Sequence, residues 1–256
     1  MYNDIETETS YKYLNRVISR LKEPICILGG WAVFFTVNPS YQKQMVRTYI
    51  GSRDIDIGFN SVDSFKEATS ILEKELNFKF ISFRYFKNIH SETGKDLDEN
   101  EAKSIPQHMF FPIYVDPIMP YVDKYVKTKI GFNPIDEPLL KYVFESRKYR
   151  IRLREFGKIL LLPTPEILLA TKINAVVLRE KEYKRHKDIC DIVALCLFGG
   201  IPINNIIKRS MGFASKDRLE KFRNINFKQD IINCSNILGL ELNTVKSVIV
   251  KIKEGV

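Results

Sequence analysis

Two aspartates, Asp54 and Asp56, stand two residues apart in the stretch YIGSRDIDIGF, residues 49–59. The stretch reads as a short strand. Successive strand side chains point to opposite faces, so the two carboxylates share a face, about 7 Å apart along the backbone. Ile55, Ile57 and Phe59 take the other face. Like charges on one face repel unless a cation lies between them. On a solvated edge strand Arg53 and nearby lysines would screen them. In a catalytic setting the same pair is a ligand set for a hard divalent cation, because magnesium takes oxygen donors, commonly a few carboxylates together with substrate phosphates.

The residues upstream supply a second element of such a site. In ICILGGWAVFF, Ile25 to Leu28 read as a short buried strand, Gly29 and Gly30 as a corner, and the residues from Trp31 onward as a helix. A helix start offers unbonded backbone N–H groups and the positive end of a dipole, both of which attract phosphate. Glycines let the backbone approach a ligand closely. A glycine pair can equally be a plain strand-to-helix corner, and its interest here comes from the Asp-x-Asp strand that follows.

Together, LGGWAV and GSRDIDIGF resemble the nucleotidyltransferase superfamily that includes DNA polymerase beta. That resemblance implies transfer of a nucleoside monophosphate from an NTP to an acceptor, with release of pyrophosphate. It also implies two Mg²⁺ ions held by two carboxylates of one strand and a third from a later strand. Asp54 and Asp56 match the first two. Asp116, at the end of the apolar stretch IYVDPI, is the best match for the third, with Asp123 as the alternative. Gly29, Gly30, Ser52 and Arg53 fall in the nucleotide-binding positions. Trp31 stands where the family often has a hydroxyl, as in some antibiotic-modifying members, and the connection NPSYQKQMVRTY is longer than usual.

The later stretch LPTPEILLATKINAVVLREKEYKRHKDICDIVAL is similar to the AbiEii-like nucleotidyltransferases of type IV toxins. Lys172 and Arg179, seven residues apart, would share a face of one helix, and Asp188 and Asp191 a face of the next. The resemblance implies that Lys172 pairs with the triphosphate and that Asp191 or Asp188 orients Lys172 or the acceptor. Arg179 and Asp188 would join the nucleotide-binding set. His186 could touch phosphate or be merely solvated. The basic run Lys181, Lys184, Arg185 and Lys187 would lie between the two helices, beside the site.

Three functions fit these residues. One is a Mg²⁺-dependent enzyme acting on RNA, such as a tRNA end, in a toxin or defence role with a cognate antitoxin as partner. The second modifies a small molecule of antibiotic type, which Trp31 favours. The third is a non-catalytic nucleic-acid-binding relative. A net charge of +9 is compatible with a polyanionic acceptor.

The elements that must position these residues are legible along 256 residues with 45% apolar content, enough for a sizeable core. Tyr11 to Leu21 reads as an opening helix. Ser61 reads as the cap of a helix presenting Phe65, Ala68, Thr69, Leu72 and Leu76. Residues 78–86 alternate like a strand, 88–106 read as a surface loop, and 109–119 as a further strand. Residues 149–162 read as a hairpin turning at Phe156 and Gly157. A helix begins at Pro165, another ends at Gly199–Gly200, and weaker helical patterns follow over 204–210 and 244–253. The fold class expected is α+β: a polymerase-beta-like domain over 1–162, with a mixed sheet and flanking helices, then a helical domain over 163–256. No apolar run is long enough to cross a bilayer and MYNDIETETS lacks a leader's layout, which predicts a cytoplasmic protein with no membrane partner. The four cysteines form no CxxC pair and read as buried free thiols.

Overall fold

A computed structural model describes residues 4–255 of the chain. Its elements run in order α1 (Asp4–Arg20), β1 (Ile25–Ile27), α2 (Gly29–Met45), β2 (Ile55–Gly58), α3 (Val62–Lys74), β3 (Lys79–Ile81), β4 (Arg84–His90), β5 (Asp96–Leu97), α4 (Glu99–Ser104), β6 (Phe110–Met119), α5 (Lys124–Ile130), β7 (Ile135–Asp136), α6 (Leu140–Glu145), β8 (Arg150–Glu155) and β9 (Lys158–Pro163). There follow α7 (Pro165–Val176), α8 (Glu182–Phe198), α9 (Ile203–Met211), α10 (Lys216–Asn224), α11 (Lys228–Leu238) and α12 (Leu242–Glu254). The chain is of mixed α+β class. Its contacts divide it into a sheet unit, residues 4–31 and 50–163, and a helical unit, residues 32–49 and 164–255.

The sheet unit holds one mixed sheet in the order β3-β4-β6-β2-β1-β9-β8, with β5 beside β4 and β7 beside β6. At its centre β2 runs parallel to β6 and antiparallel to β1, while β1 runs parallel to β9. Central strands are covered on both faces and so read as apolar runs. Ile25, Ile27, Ile55, Ile57, Ile113 and Val115 are fully buried or nearly so. Leu14, Val17 and Ile18 of α1 and Phe65 and Leu72 of α3 are likewise buried, at the helical spacing expected of one apolar face. Ser61 caps α3 as read from the sequence, its hydroxyl accepting from the Ser64 N–H.

Several boundaries differ from the sequence reading. The Asp-x-Asp strand begins only at Ile55, because the chain before it is bent: Ser52 donates its hydroxyl to the Asp54 carbonyl, and Ser10 donates to the Arg53 carbonyl. Asp54 therefore precedes the strand instead of alternating within it. Residues 78–86 do not form one strand; they fold back at Ser82, whose φ of 60° puts it in the left-handed region, to make the β3–β4 hairpin. The expected loop over 88–106 contains the end of β4, β5 and α4. Asp98 and Glu101 form a capping box at the start of α4, a signature the sequence displays. The β8–β9 hairpin does turn at Phe156 and Gly157, both with positive φ, the conformation whose twist suits a two-residue hairpin loop.

The helical unit is built on α7 and α8, both buried along most of their length. The last turns of α2 belong to it. Asn38 to Gln44, polar in sequence, continue the helix past Pro39 to Met45. Tyr41 in this segment is buried and donates its hydroxyl to the Leu238 carbonyl, and Arg47 just beyond donates to the Ile237 carbonyl. The extra length between Gly30 and Asp54 thus serves packing within this unit. All four cysteines are free and buried. No helix among the described residues is long and apolar enough to cross a membrane.

Candidate active site

In the sheet unit, the parallel register of β2 and β6 sets Asp56 directly beside Asp116. Side chains at paired positions of neighbouring strands point to the same face, so two carboxylates from strands far apart in sequence converge. Gly29 lies against the same spot. It has φ +58°, and a Cβ added there would collide with the Asp56 carboxylate, Oδ2 first. The bare backbone at the start of α2 is therefore required twice, by its left-handed conformation and by its closeness to Asp56. Asp123, the alternative third carboxylate, is the N-cap of α5, where its Oδ1 accepts from the Val126 N–H at 2.8 Å.

A cation sits among these acids. The β4–β6 register pairs Tyr85 with Val115, so its next step brings Arg84 opposite Asp116. Arg84 donates Nε–H to Asp116 Oδ1 at 2.8 Å and Nη2–H to Oδ2 at 2.5 Å, and Nη2 lies 3.8 Å from Asp54 Oδ2. The guanidinium lies over the Tyr114 ring, 4.0 Å from its centroid. Burial pulls the Arg84 pKa down, but Asp116 and the other two aspartates outweigh it and raise it. Arg53 also approaches the cluster, with Nε 4.0 Å from Asp54 Oδ1 and Nη1 3.7 Å from Glu6. Nothing in the sequence pattern singled out Arg84. Its only signal was a cation on a strand that would have to be known to pair with β6.

The donor set suits a hard divalent cation, since Asp54, Asp56 and Asp116 offer only oxygen. Among the described residues no three acidic, histidine or cysteine side chains are grouped to hold a metal ion as they stand. The guanidinium of Arg84 closes on both oxygens of Asp116.

Trp31 and Ser52 are both hydrogen-bonded within the sheet unit. Trp31 is buried, donates Nε1–H to the Ser10 hydroxyl at 3.2 Å and packs on Tyr11. Ser52 is buried and spends its hydroxyl on the turn before β2.

The helical unit gathers the second set of predicted residues. Lys172 is only 8% exposed. Its Nζ donates to Asp188 Oδ1 at 2.8 Å and lies 2.7 Å from Asp191 Oδ2. Arg179 falls beyond the end of α7 at Val176, so it does not continue a helix face shared with Lys172; it reaches the same partner instead, donating Nε–H to Asp188 Oδ2. Two further residues complete the network. Tyr49 donates its hydroxyl to Asp191 Oδ1 at 2.8 Å, and Lys187 donates to the same oxygen from one helical turn away on α8. Burial pulls the Lys172 pKa down, but Asp188 and Asp191 outweigh it and hold the ammonium above the usual lysine range. Burial pushes Asp188 up, but Lys172 and Arg179 outweigh it and hold the carboxyl below the usual aspartate value. Burial together with Asp191 raises Tyr49 far above an ordinary tyrosine, which keeps its hydroxyl a donor.

The basic run is not an inter-helix loop. α8 begins at Glu182, so Lys184, Arg185 and Lys187 lie in its first turns, and Arg185 and Lys187 pair with acids of the same unit. Arg185 pairs with the fully buried Asp230 at 3.0 Å, and Lys187 with Asp191. His186 lies 3.3 Å from the same Asp230 oxygen and beside Asn233.

No protein-family model matches the chain, and a search of curated proteins found no match. Among solved structures the chain is similar to the crystal structure of an antigenic nucleotidyltransferase-like protein from Paracoccidioides brasiliensis. The TM-score is 0.42 at 13% sequence identity, covering 98% of this chain and 94% of that chain. So distant a likeness adds no weight to the role of any residue.

Proposed function

We propose that the protein is a nucleotidyltransferase that moves a nucleoside monophosphate from an NTP to an acceptor hydroxyl and releases pyrophosphate. The observation that supports this best is the convergence of Asp56 and Asp116 on adjacent parallel strands, with the glycine start of α2 pressed against Asp56. In this reading Asp54, Asp56 and Asp116 hold the divalent ions, Mg²⁺ by the chemistry of their oxygens. Asp116 takes the third place because Asp123 is spent on capping α5. When bound, two such ions lower the pKa of the attacking hydroxyl and stabilise the leaving pyrophosphate. The chain's own share is positioning and charge. Gly29 and Gly30 bring backbone N–H groups of a helix start toward phosphate. Arg53 adds a cation beside Asp54. Lys172, Arg179, Asp188 and Asp191 belong to the nucleotide-binding set, with the ammonium parked between two carboxylates until a phosphate replaces one of them.

The acceptor in this reading is RNA, as for an enzyme of toxin or defence type with a cognate antitoxin. The exposed cations suited to it lie on β8, not on α8. β8 is an edge of the sheet, and Arg152 and Arg154 project exposed from one face of it.

Incubating the protein with each of four radiolabelled NTPs, Mg²⁺ and total RNA tests the activity. Label is expected in RNA with at least one NTP, and no transfer to any acceptor would end the assignment. A salt titration tests the acceptor. Phosphate contacts release counterions, with a slope near −0.7 per contact on single strands. Reversing both charges, Arg152→Glu with Arg154→Glu, is expected to weaken RNA binding and flatten the slope by about 1.4, two contacts' worth, with NTP affinity unchanged. Wild-type binding that is indifferent to salt would remove RNA as the acceptor.

A further inference from the structure

We propose that Arg84 is the resident cation of the carboxylate cluster, and that a divalent ion binds by taking Asp116 away from it. The inference rests on the metal-binding role assigned to the three aspartates above and adds a residue that controls it.

Asp56 and Asp116 converge on one face and Asp54 lies 3.8 Å from Arg84, and anions so placed in a partly buried setting call for a positive charge. Arg84 supplies that charge from within the chain. Its fork closes on both Asp116 oxygens, its Nη2 reaches toward Asp54 at 3.8 Å, and Tyr114 lies under its plane. The side chains of the pair are 20% and 7% exposed, so the bond is shielded from water. Bidentate charge-assisted pairs of this kind are the strong ones. The same oxygens cannot serve a guanidinium and a metal ion at once, and the two cations repel. Metal affinity is then an exchange: the ion gains Asp116 only as Arg84 loses it. Arg84 opens β4 just after the turn at Ser82, and the β3 strand beside it is three residues long and exposed.

The test uses the full chain and Mn²⁺ as the probe, with free ion counted by electron paramagnetic resonance. Arg84→Met keeps the length of the side chain and removes the charge. It is expected to bind Mn²⁺ at least tenfold more tightly than wild type, and Arg84→Lys, charged but not forked, to fall between. Arg53→Met is the control for simple loss of positive charge, since Arg53 lies beside Asp54 and Glu6. A gain from Arg53→Met as large as that from Arg84→Met would overturn the exchange. So would equal Mn²⁺ affinity in wild type and Arg84→Met, which would leave the metal-binding role of the aspartates standing. If neither wild type nor folded Arg84→Met binds Mn²⁺, the metal-binding role itself fails, and the inference with it. A wild-type measurement guards against a variant that does not fold. Phenylglyoxal modification of Arg84, mapped by mass spectrometry, is expected to rise severalfold when Mn²⁺ is added, and an unchanged or lower rate counts against displacement.

Discussion

Lys172→Ala is expected to destabilise the protein by about 3 kcal/mol or more, as does removal of one partner from a buried ion pair. Lys172 touches both Asp188 and Asp191. Without it Asp188 keeps Arg179 and Asp191 keeps Lys187, and both lose the ammonium that offset their mutual repulsion. Urea denaturation at neutral pH measures the loss. The pH dependence gives an independent reading. Asp188 has a folded-state pKa below its ordinary 3.8, so its contribution is complete above about that pH and is lost as the pH falls through the lower, folded value. In Lys172→Ala the folded pKa rises toward the ordinary one, so acid unfolding should begin at a higher pH than in wild type. A variant as stable as wild type, with the same acid transition, would show that the ammonium is not what holds the cluster.

Asp56→Asn is expected to lower nucleotidyl transfer by about a thousandfold or more, near 4 kcal/mol of transition-state stabilisation, while the fold persists. The substitution keeps the shape of a half-buried side chain and removes one of two converging negative charges, so metal-free stability should hold or rise. Asp116→Asn should separate activity from stability differently. It removes the charge and one of the two oxygens that accept from Arg84, leaving an NH2 donor facing the guanidinium, so activity falls as far and stability falls too, by about 2 kcal/mol. The comparison needs steady-state transfer rates and thermal melts of the two variants side by side. Asp56→Asn with more than a tenth of wild-type activity would take Asp56 out of the site, and unfolding of Asp56→Asn would make its role structural.

The local parts of this arrangement were legible in the chain. Strand, glycine pair and helix from Ile25, the apolar run that became β6, the turn at Phe156 and Gly157 and the stop at Gly199 are all set by near neighbours in sequence. The parts that were not legible depend on distant contacts or on single backbone angles. Alternation over residues 78–86 cannot reveal that Ser82 takes a positive φ and reverses the chain. The helical pattern running past Val176 does not show that Arg179 leaves the helix to reach Asp188. Arg84 meets Asp116 only because β4 and β6 pair, and Tyr49 meets Asp191 across 142 positions of sequence. Position in the chain suggested which acids might act together. Which cations neutralise them was decided by the fold.

The free edges of the sheet have a further consequence, for behaviour at high concentration. β8 exposes one row of backbone donors and acceptors, the kind of template on which strands of other molecules assemble. Arg152 and Arg154 guard that row by mutual repulsion between copies, and at the opposite edge β3 is only three residues long, too short to recruit a partner. Solubility and polyanion recognition would then draw on the same two arginines. Reversing their sign keeps the guard and removes the attraction, whereas replacing them with threonine or valine would remove both and turn β8 into an adhesive strip. A neutral variant that fails to bind RNA could therefore be failing through self-association, and only the acidic variant separates the two.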